Sequence, residues 1–490
     1  MKIVDFSLFV EHVREKVNMS VVQSTDGGSY LRLPRGKIWL GVPVESKRAL
    51  LKLTRIVRKH MGSQIKRSQV KELLEVLLAE AMHEHLEPVN VYHRVGACKD
   101  GIEVLLSLKS GTIARVTPKG VRVRKKSRLT FCDTMGFGAL PMPLLEANMR
   151  AGLKALRRMA DLEENHFKLY VMWLLGALSP IGPYPLLIIN GGAGSGKSTL
   201  TRFTKMLLDP TDVPLRVLPT NDRGLNSAAR NNRLLAFDNV SSLSPKMADS
   251  LCRISTGGGV ATTKGQGDTD ESVFGVCRPA ILNGIDDFAH RNDLIQRSIM
   301  IKRPEIEDGK RMTEDKRNKK FEAVRNLILG TLLRAVAHGL KRKEAVKFEK
   351  MPRMADFLEW SVAACEAFHW KSEALVQIYE KNQREAFAAS ADSDAVLIAI
   401  QKLIRQEGRW TGTYTDLLVR IENLSAVRSG GRSCSSKGLP KAANVLSAYL
   451  KRSGEKLKAI GINYQVLPRD HNGRQILLER IEGFDERSDE

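Results

Sequence analysis

The spacing of hydrophobic and polar residues changes along the chain and predicts its secondary structure. Apolar residues recur at helical intervals over 48–60 and 70–85, which predicts two amphipathic helices. Between 89 and 124 apolar and polar residues alternate in three segments separated by turns that contain glycine. This pattern predicts a small antiparallel meander of strands.

A long uncharged stretch runs from 171 to 190 and has nearly the length of a membrane span. Prolines at 180, 183 and 185 and glycines at 176 and 182 interrupt it. The pattern instead predicts a buried helix that ends near Leu178, a turn, and a buried strand over 186–189. We therefore expect no membrane insertion.

Beyond residue 140 the pattern alternates between helices and strands, as in an α/β nucleotide-binding core. Further helices are predicted at 321–341, 353–369 and 372–387. The sequence thus predicts an α/β protein whose regions are an α+β accessory domain (1–140), the core (141–305), a helical extension (306–390), a C-terminal unit (391–480) and an acidic tail (481–490).

Net charge narrows the classes of partner. The 490 residues include 78 Lys and Arg against 55 Asp and Glu, a formal charge of +23, which favours nucleic acid ahead of an anionic membrane as the partner.

The six cysteines are scattered without a CxxC pair, which argues against a zinc site or a disulfide framework. No signal-peptide pattern is present at the start, and we expect a cytoplasmic location.

The most specific motif follows the buried strand directly. Residues 191–198 match G-x-x-x-x-G-K-[ST] at every position. Glycines let backbone N–H groups turn around a phosphate, Lys197 brings positive charge to the β- and γ-phosphates, and Ser198 offers its hydroxyl to Mg²⁺. The motif predicts binding of ATP with Mg²⁺ by Gly191, Gly192, Ala193, Gly194, Ser195, Gly196, Lys197, Ser198 and Thr199.

Polar residues at the ends of two later predicted strands complete this chemistry. Asp238 follows the strand at 234–237 and is expected to hold the water shell of Mg²⁺. Asn239 comes next, and because an amide cannot act as a general base it would only orient a water. Either Asp238 serves both metal and water, or turnover is slow and the protein acts partly as a switch. Asn283 follows the strand at 279–282 and is expected to orient the attacking water.

Two arginines follow in the segment 291–298. In a ring of subunits, an arginine here can reach the γ-phosphate of the neighbouring subunit. Arg297 is the preferred finger and Arg291 the second choice, while a salt bridge to a nearby acid is the competing interpretation of either residue.

The C-terminal unit predicts a winged helix-turn-helix. Its pattern gives helix, short strand, helix, a Gly/Ser-rich loop, a third helix over 441–451, and two strands around the turn at 470–473. Between Lys402 and Arg474, 14 Lys or Arg stand against 5 Asp or Glu. Duplex DNA contacts are expected from Lys441, Lys451, Arg452, Arg469 and Arg474. Winged helices also dock proteins, and that alternative stays open.

The order of these motifs resembles a known family. Phosphate loop, Phe237-Asp238-Asn239, a predicted hairpin, Leu282-Asn283-Gly284 and Asp293-Leu294-x-x-Arg297 resemble the superfamily 3 branch of AAA+ helicases, which includes the papillomavirus replicative helicase and poxvirus-type primase-helicases. The sequence is more similar to ATP-binding helicase proteins of bacterial prophages and integrative elements. The resemblance covers roughly residues 140–390, with matching stretches at 235–241, 252–259, 278–285 and 351–357.

The resemblance implies an AAA+ core that assembles as a hexamer, with ATP sites between subunits and Arg297 in the finger position. It also implies a β-hairpin over 259–267, with Lys264 near its tip, that grips single-stranded DNA in the central channel. A surface lysine in a flexible loop is the competing interpretation of Lys264. A nucleoid-associated bacterial protein follows from the same resemblance.

The first 140 residues contain no Asp-x-Asp pair for a two-metal polymerase site, so we expect a binding domain rather than a second active site. A primase or another replication protein is the partner that we expect this domain to bind. Residues 119–126 in this region are strongly basic, and a solvated hairpin and a phosphate contact are both open.

Three functions remain at this point. The first is an ATP-dependent DNA helicase or translocase in replication of a mobile element or phage. The second is a replication initiator or helicase loader without processive unwinding, and the third is a DNA-binding regulator that uses ATP as an assembly switch. Asn239 favours the last two, and the hairpin with Lys264 favours the first.

Overall fold

The structure, a computed structural model, describes residues 3–62, 64–83, 87–263, 271–284, 288–307, 309, 311–346, 348, 352–426, 439–471 and 473–484. The chain divides into two compact units. The first consists of Met1–Asp286 and Ile301–Val376, and the second of Asp287–Met300 and Gln377–Glu490.

The first unit begins with helices packed on a five-stranded sheet of order β1-β2-β3-β9-β4. The two predicted helices are confirmed as α2 and α3, and Ser46 caps α2 by accepting a hydrogen bond from the N–H of Ala49. The elements are α1 (Ile3–Val17), β1 (Ser20–Gln23), β2 (Ser29–Arg35), β3 (Lys37–Pro43), α2 (Lys47–Met61), α3 (Arg67–His83), β4 (Val91–Tyr92) and, later in the chain, β9 (Lys126–Cys132). Val13, Leu53 and Leu73 are fully buried between the helices and this sheet.

The predicted antiparallel meander is confirmed as a second sheet of order β5-β6-β7-β8. Its strands are β5 (Val95–Cys98), β6 (Gly101–Ser107), β7 (Thr112–Thr117) and β8 (Gly120–Arg124). The third predicted segment is therefore two strands, because the chain turns between Thr117 and Gly120. The chain then continues from β8 into β9 of the first sheet.

An α/β core follows, built on a sheet of order β11-β14-β10-β15 in which β10 and β11 both run parallel to β14. Its elements are α4 (Met149–Ala160), α5 (Glu164–Ala177), β10 (Leu186–Asn190), α6 (Lys197–Leu208), α7 (Asp222–Asn231), β11 (Leu235–Phe237), α8 (Pro245–Thr256), β12 (Gly258–Thr263), β13 (Glu271–Val276), β14 (Ala280–Gly284), α9 (Asn292–Ile295) and β15 (Ser298–Lys302). The buried helix and strand predicted within 171–190 are confirmed as α5 and β10. In the described part of the chain, no helix is long and apolar enough to cross a membrane.

Long helices come next, namely α10 (Glu314–Arg342), α11 (Ala355–Cys365) and α12 (Ser372–Asp392). The prediction placed the start of α10 at 321. The helix begins seven residues earlier because the side chain of Thr313 caps it by accepting from the N–H of Lys316.

The second unit ends in a small domain with its own core, in which Leu403, Leu417, Leu450 and Leu478 are fully buried. Its elements are α13 (Ala395–Glu407), β16 (Arg409–Thr413), α14 (Tyr414–Ala426), α15 (Ala443–Arg452), α16 (Gly454–Ala459), β17 (Ile462–Asp470) and β18 (Gly473–Arg480), with sheet order β16-β18-β17. The helix predicted from Lys441 begins at Ala443, so Lys441 precedes it, and the short helix α16 was not predicted.

Candidate functional site

The glycine-rich loop lies between β10 and α6, as its motif requires. Gly194 and Gly196 have φ angles of 76° and 80°, in the left-handed region that favours glycine. A Cβ on Gly191 would lie 2.6 Å from the carbonyl oxygen of Arg303, too close for any other residue. The strand–loop–helix arrangement therefore depends on these glycines and directs the first N–H groups of α6 into the loop.

Lys197 is buried at the start of α6. Its Nζ donates hydrogen bonds to the carbonyl oxygens of Gly191 and Gly192, both at 2.7 Å. Burial lowers the pKa of Lys197, while the nearby Asp238 acts in the opposite direction. Ser198, the next residue, is exposed. The loop thus holds an amine inside it and a hydroxyl at its surface.

Asp238 follows β11, as predicted. Its backbone N–H donates to the carbonyl of Arg216 at 2.9 Å, which fixes the position of the residue. Its Oδ1 is buried and has no hydrogen-bond partner within the described residues. A buried carboxylate oxygen without a donor is costly, so the atom fits a ligand that brings positive charge or water protons.

The donors present fit Mg²⁺ better than a fully protein-bound ion. No group of three or more His, Cys, Asp or Glu side chains comes together in the described ranges. Mg²⁺ keeps several waters and commonly takes one or two protein oxygens together with substrate phosphates. One carboxylate, Asp238, and one hydroxyl, Ser198, are a donor set of that kind.

Asn239 and Asn283 are hydrogen-bonded to each other. Asn239 has a left-handed φ of 57°, and its N–H donates to Oδ1 of Asn283 at 3.1 Å. The Nδ2 of Asn283 donates to Oγ1 of Thr201 at 2.8 Å, and Thr201 in turn donates to the carbonyl of Lys197 at 2.9 Å. Asn283 was predicted to follow its strand but lies within β14 and is 1% exposed. Its side chain therefore ties β14 to α6 and to the loop after β11.

Sequence reasoning missed Arg303, which follows β15. Arg303 is 7% exposed, and its Nε and Nη1 have no partner in the described part of the chain. Burial lowers its pKa. A Cβ on Gly196 would lie 3.4 Å from the Cζ and Nε of Arg303, so the guanidinium lies against the loop. The only signal in the sequence was a basic residue directly after the short apolar segment that forms β15; its place beside the phosphate loop comes from the pairing of β15 with β10.

A cavity of about 720 Å³ opens beside the start of α6. Its lining includes Arg303, residues of α6 and residues of α4 and α10, among them Gly196, Thr199, Phe203, Met159 and Phe321. This volume lies within the range of small-molecule sites, and the walls combine apolar side chains with a few charged groups.

The opposite end of α6 carries a second group of buried charges. Asp209 accepts from Nε of Arg94 at 3.1 Å, from Nζ of Lys205 at 2.7 Å, and from the backbone N–H groups of Arg233 and Leu234. Burial alone would raise the pKa of Asp209, but Lys205 and Arg94 outweigh it and hold that pKa well below its usual range. Arg94 also donates to three backbone carbonyls. Every charge in this network is paired.

His93 lies beside this network and is held neutral. Its Nε2 is 2.6 Å from the carbonyl oxygen of Arg230, so Nε2 carries the proton and donates. Its Nδ1 therefore accepts from Nη2 of Arg278 at 3.0 Å. Burial, with Arg278 adding to it, lowers the pKa of His93 to about 3. Neither His93 nor Arg94 was predicted, because charged and polar residues in a strand ordinarily indicate a solvent-facing side.

The predicted finger arginines lie in the second unit. Arg291 forms a two-pronged salt bridge with Asp293, with Nη2 3.0 Å from Oδ2 and Nε 3.1 Å from Oδ1. Arg297 donates from Nη1 to the backbone carbonyl of Asp293 at 2.9 Å. Its Nε is buried and has no partner among residues that the structure describes. The salt bridge weighed against a finger role is thus present at Arg291.

The residues predicted to contact DNA fall into two groups. Strands β12 and β13 pair in antiparallel register from Gly258↔Val276 to Thr263↔Glu271, which confirms a hairpin here but puts its second strand beyond the predicted range of 259–267. Lys264 lies outside the described residues. In the second unit, Arg469 and Arg474 are directly opposite on β17 and β18 and both are exposed. Lys441, Lys451 and Arg452 are exposed as well.

Comparison with protein families shows to which family the chain belongs. Residues 153–371 match the family described as the actinomycete integrative conjugative element replication protein, and residues 396–488 match the AICE RepA C-terminal domain. Together the two matches span more than half of the chain. The chain belongs to this family of replication proteins. The first match contains the phosphate loop, Asp238, Asn283 and both finger candidates, and the second contains the C-terminal domain.

Two solved structures are similar to this replication protein at low identity. One is described as the SCCmec type IV Cch active helicase, with 13% identity over 95% of this chain and 93% of that chain and a TM-score of 0.46. The other is the apo structure of the NrS-1 C-terminal region, with 11% identity over 96% of this chain and 98% of that chain and a TM-score of 0.42. No curated protein matches the chain.

Proposed function

We propose that this replication protein is an ATP-dependent DNA helicase or translocase that acts in replication of its mobile element. The observation that carries the proposal is the convergence of buried, unsatisfied charge on the phosphate loop. Oδ1 of Asp238 lacks a donor and two guanidinium nitrogens of Arg303, Nε and Nη1, lack acceptors among the described residues, and both side chains lie beside Lys197. Phosphates with a hydrated cation supply both kinds of partner.

The triphosphate would lie along the loop. The backbone N–H groups and Nζ of Lys197, released from the carbonyls of Gly191 and Gly192, would donate to phosphate oxygens. Ser198 and Asp238 would hold Mg²⁺, which neutralises phosphate charge when bound. The cavity beside α6 would take the base and ribose, with Arg303 at its boundary with the phosphates. The parallel sheet and its loop would then be an AAA+ core.

Asn239 and Asn283 would act on the attacking water. The amide of Asn283 already bonds to Thr201 and to the N–H of Asn239, so its first contribution is to hold the loop that carries Asp238. Arg297 is proposed as the finger that reaches the γ-phosphate of a neighbouring subunit, in a ring that we propose to be a hexamer. Arg291, paired with Asp293, ranks second.

DNA would be bound at two places. The hairpin formed by β12 and β13 would grip a single strand, and Lys264, the residue after β12 in sequence, is proposed as a contact to it. The C-terminal domain would act as a winged helix on duplex DNA, with Arg469 and Arg474 on its wing. These two arginines are directly opposed like charges, which destabilise the hairpin alone and are relieved by a phosphate between them.

Strand displacement on a forked duplex tests the proposal. Wild-type protein with ATP and Mg²⁺ should release the labelled strand, and Lys197→Ala should not. Lys264→Ala should lose unwinding but keep nucleotide binding. ATP binding that survives unchanged in Lys197→Ala would overturn the assignment of the site.

A loader or initiator is the second candidate, and Asn239 favours it. An amide at this position supplies no general base, so hydrolysis would be slow. This function, or the related ATP-switched regulator, predicts DNA-stimulated ATP hydrolysis without strand displacement under conditions where DNA is bound.

A further inference from the structure

We propose that the N-terminal region carries a third nucleic-acid contact, a basic strip formed by Lys37, Lys119, Arg122, Arg124, Lys125 and Lys126, which binds the sugar-phosphate backbone. All six side chains are exposed. The strip lies in the first unit, on the turn between β7 and β8, on β8, and where β3 and β9 meet. It shares no residue with the phosphate loop or with either DNA-binding element proposed above.

The strip is built from two separate parts of the sequence. Along β8 the pattern alternates, so that Arg122 and Arg124 are exposed while Val121 and Val123 are half-buried. The chain passes through Lys125 directly into β9, where Lys126 is in register with Lys37 of β3. The pairing of β3 with β9 brings Lys37 beside Lys126, about 90 positions away in sequence. A hairpin that is merely solvated would not need a cation from so distant a part of the chain.

Charges along the strip are not neutralised by the protein. The acids Asp100 and Glu103 form salt bridges with Arg115, at 3.2 Å and 3.4 Å. None of the six cations of the strip forms a salt bridge with a residue that the structure describes. A cleft of about 530 Å³ lies between these groups, lined by Arg115, Lys119, Arg122 and Arg124 together with Asp100.

Like charges face each other across the strands twice. Arg122 is directly opposite Arg115, and Lys126 is directly beside Lys37. Opposed like charges destabilise a sheet, and a bound anion between them removes that cost. Arg115 is already paired with Asp100 and Glu103, so the pair of Lys37 and Lys126 is the one that marks a position where a phosphate group would bind.

The spacing favours a linear polyanion over a single anion. Residues two apart on an extended strand are separated by about 6.6 Å, so Arg122 and Arg124 on β8 present a row of cations rather than one pocket, and Lys126 continues the strip at the start of β9. Only a chain of phosphates engages such a row along its length. Nucleic acid is the polyanion on which a replication protein acts, and it is the partner to which we assign the strip.

The test compares two triple variants of the full chain that lose the same charge. The first is Arg122→Gln, Arg124→Gln and Lys126→Gln. The matched control is Lys47→Gln, Arg55→Gln and Lys59→Gln on the exposed side of α2. Binding to a fluorescent forked DNA is measured by anisotropy without nucleotide, over a range of salt concentrations.

The strip variant should bind about tenfold more weakly, and its plot of log K against log salt should flatten by about 2 to 3, since each phosphate contact contributes about 0.9. The control should change much less. Thermal unfolding should be unchanged in the control, and unchanged or slightly raised in the strip variant, because the replaced side chains are exposed and Lys126→Gln removes a like charge opposite Lys37. The double variant Arg122→Lys with Arg124→Lys should retain the salt dependence, because the proposed binding to phosphates depends only on the positive charge of these side chains.

Three results would overturn the proposal: an unchanged salt slope in the strip variant, an equal loss in the control, or a loss of binding to phosphatidylglycerol vesicles or polyglutamate with DNA binding intact. The outcome is independent of the nucleotide site, because Lys197→Ala should bind DNA through the strip as wild type does in the absence of nucleotide.

Discussion

The two ends of helix α6 both carry buried charges, but the protein treats them in opposite ways. At the C-terminal end Asp209 has four donors, from Arg94, Lys205 and two backbone N–H groups. At the N-terminal end Oδ1 of Asp238 and two guanidinium nitrogens of Arg303 have no partner in the described ranges. Helix α6 thus separates a group of buried charges that are paired, the saturated end, from a group with unpaired buried polar atoms, the unsaturated end.

The difference distinguishes a scaffold from a binding site. A buried charge that is fully paired fixes the geometry around it, and removing one partner exposes the others to the cost of desolvation. A buried charge without a partner lowers stability unless a ligand supplies the missing bonds. We infer that the Asp209 network fixes the position of α6, and that the N-terminal end of the helix is thereby kept in a geometry that can bind phosphates.

The largest expected effect is on stability at the saturated end. Asp209→Asn keeps the shape of the side chain but leaves Arg94 and Lys205 buried without a counter-charge, so the free energy of unfolding should fall by about 3–5 kcal/mol. Denaturant unfolding followed by circular dichroism measures the change. The matched control is Asp238→Asn, which should cost nothing or stabilise the protein, because its Oδ1 has no partner to lose. Equal losses in the two variants would remove the distinction between the ends.

The second expected effect is a pH dependence of the free energy of unfolding, caused by His93 beside the Asp209 network. Burial lowers the pKa of His93 to about 3, below its unfolded value of about 6.5. Between these pH values the unfolded chain binds the extra proton, so the contribution of His93 is full above pH 6.5 and is lost as pH falls. At pH 5 the loss should be about 2 kcal/mol.

The measurement for His93 is the free energy of unfolding of wild type and His93→Gln at pH 7.5 and pH 5. Wild type should lose more stability between the two pH values than the variant, because carboxylates titrate equally in both proteins. Parallel losses would show that His93 is not held neutral in the folded state.

A smaller effect is expected at Arg303. Arg303→Met removes a buried guanidinium whose Nε and Nη1 are unpaired, so stability should hold or rise. ATP affinity should fall about tenfold, equivalent to about 1.4 kcal/mol, measured by titration calorimetry. Arg94→Met is the control and should show the reverse, with lower stability and little direct effect on affinity per folded molecule. A loss of stability without a change in affinity in Arg303→Met would place Arg303 in the scaffold.

The sequence was sufficient for elements defined by local patterns. The phosphate loop, the buried strand before it and the Asp238 strand end could all be predicted, because each depends on neighbouring residues. The hairpin was expected only from the family resemblance, over 259–267, and its second strand lies later, at Glu271–Val276. The C-terminal domain followed from its order of helices and turns. Asn283 was assigned to the end of its strand, but pairing of β14 with β10 extends that strand to Gly284.

Features that depend on distant contacts could not be predicted. Strand β9 pairs in parallel with β3, and no local pattern indicates which strands meet across that separation. Arg94 and His93 are buried because α6 and α7 supply their partners from more than 100 positions later in the chain. The position of Arg303 beside the loop likewise depends on the pairing of β15 with β10, and its unpaired state depends on its neighbours in space, so neither was visible in the sequence.

Titration calorimetry tests most directly whether ATP and Mg²⁺ bind at the unsaturated end of α6. Wild type should bind ATP in the presence of Mg²⁺, and Asp238→Asn should weaken the Mg²⁺ dependence. Lys197→Ala should bind no ATP at concentrations that saturate wild type, while remaining as stable. Equal affinity in wild type and Lys197→Ala would show that the phosphate loop is not the ATP site.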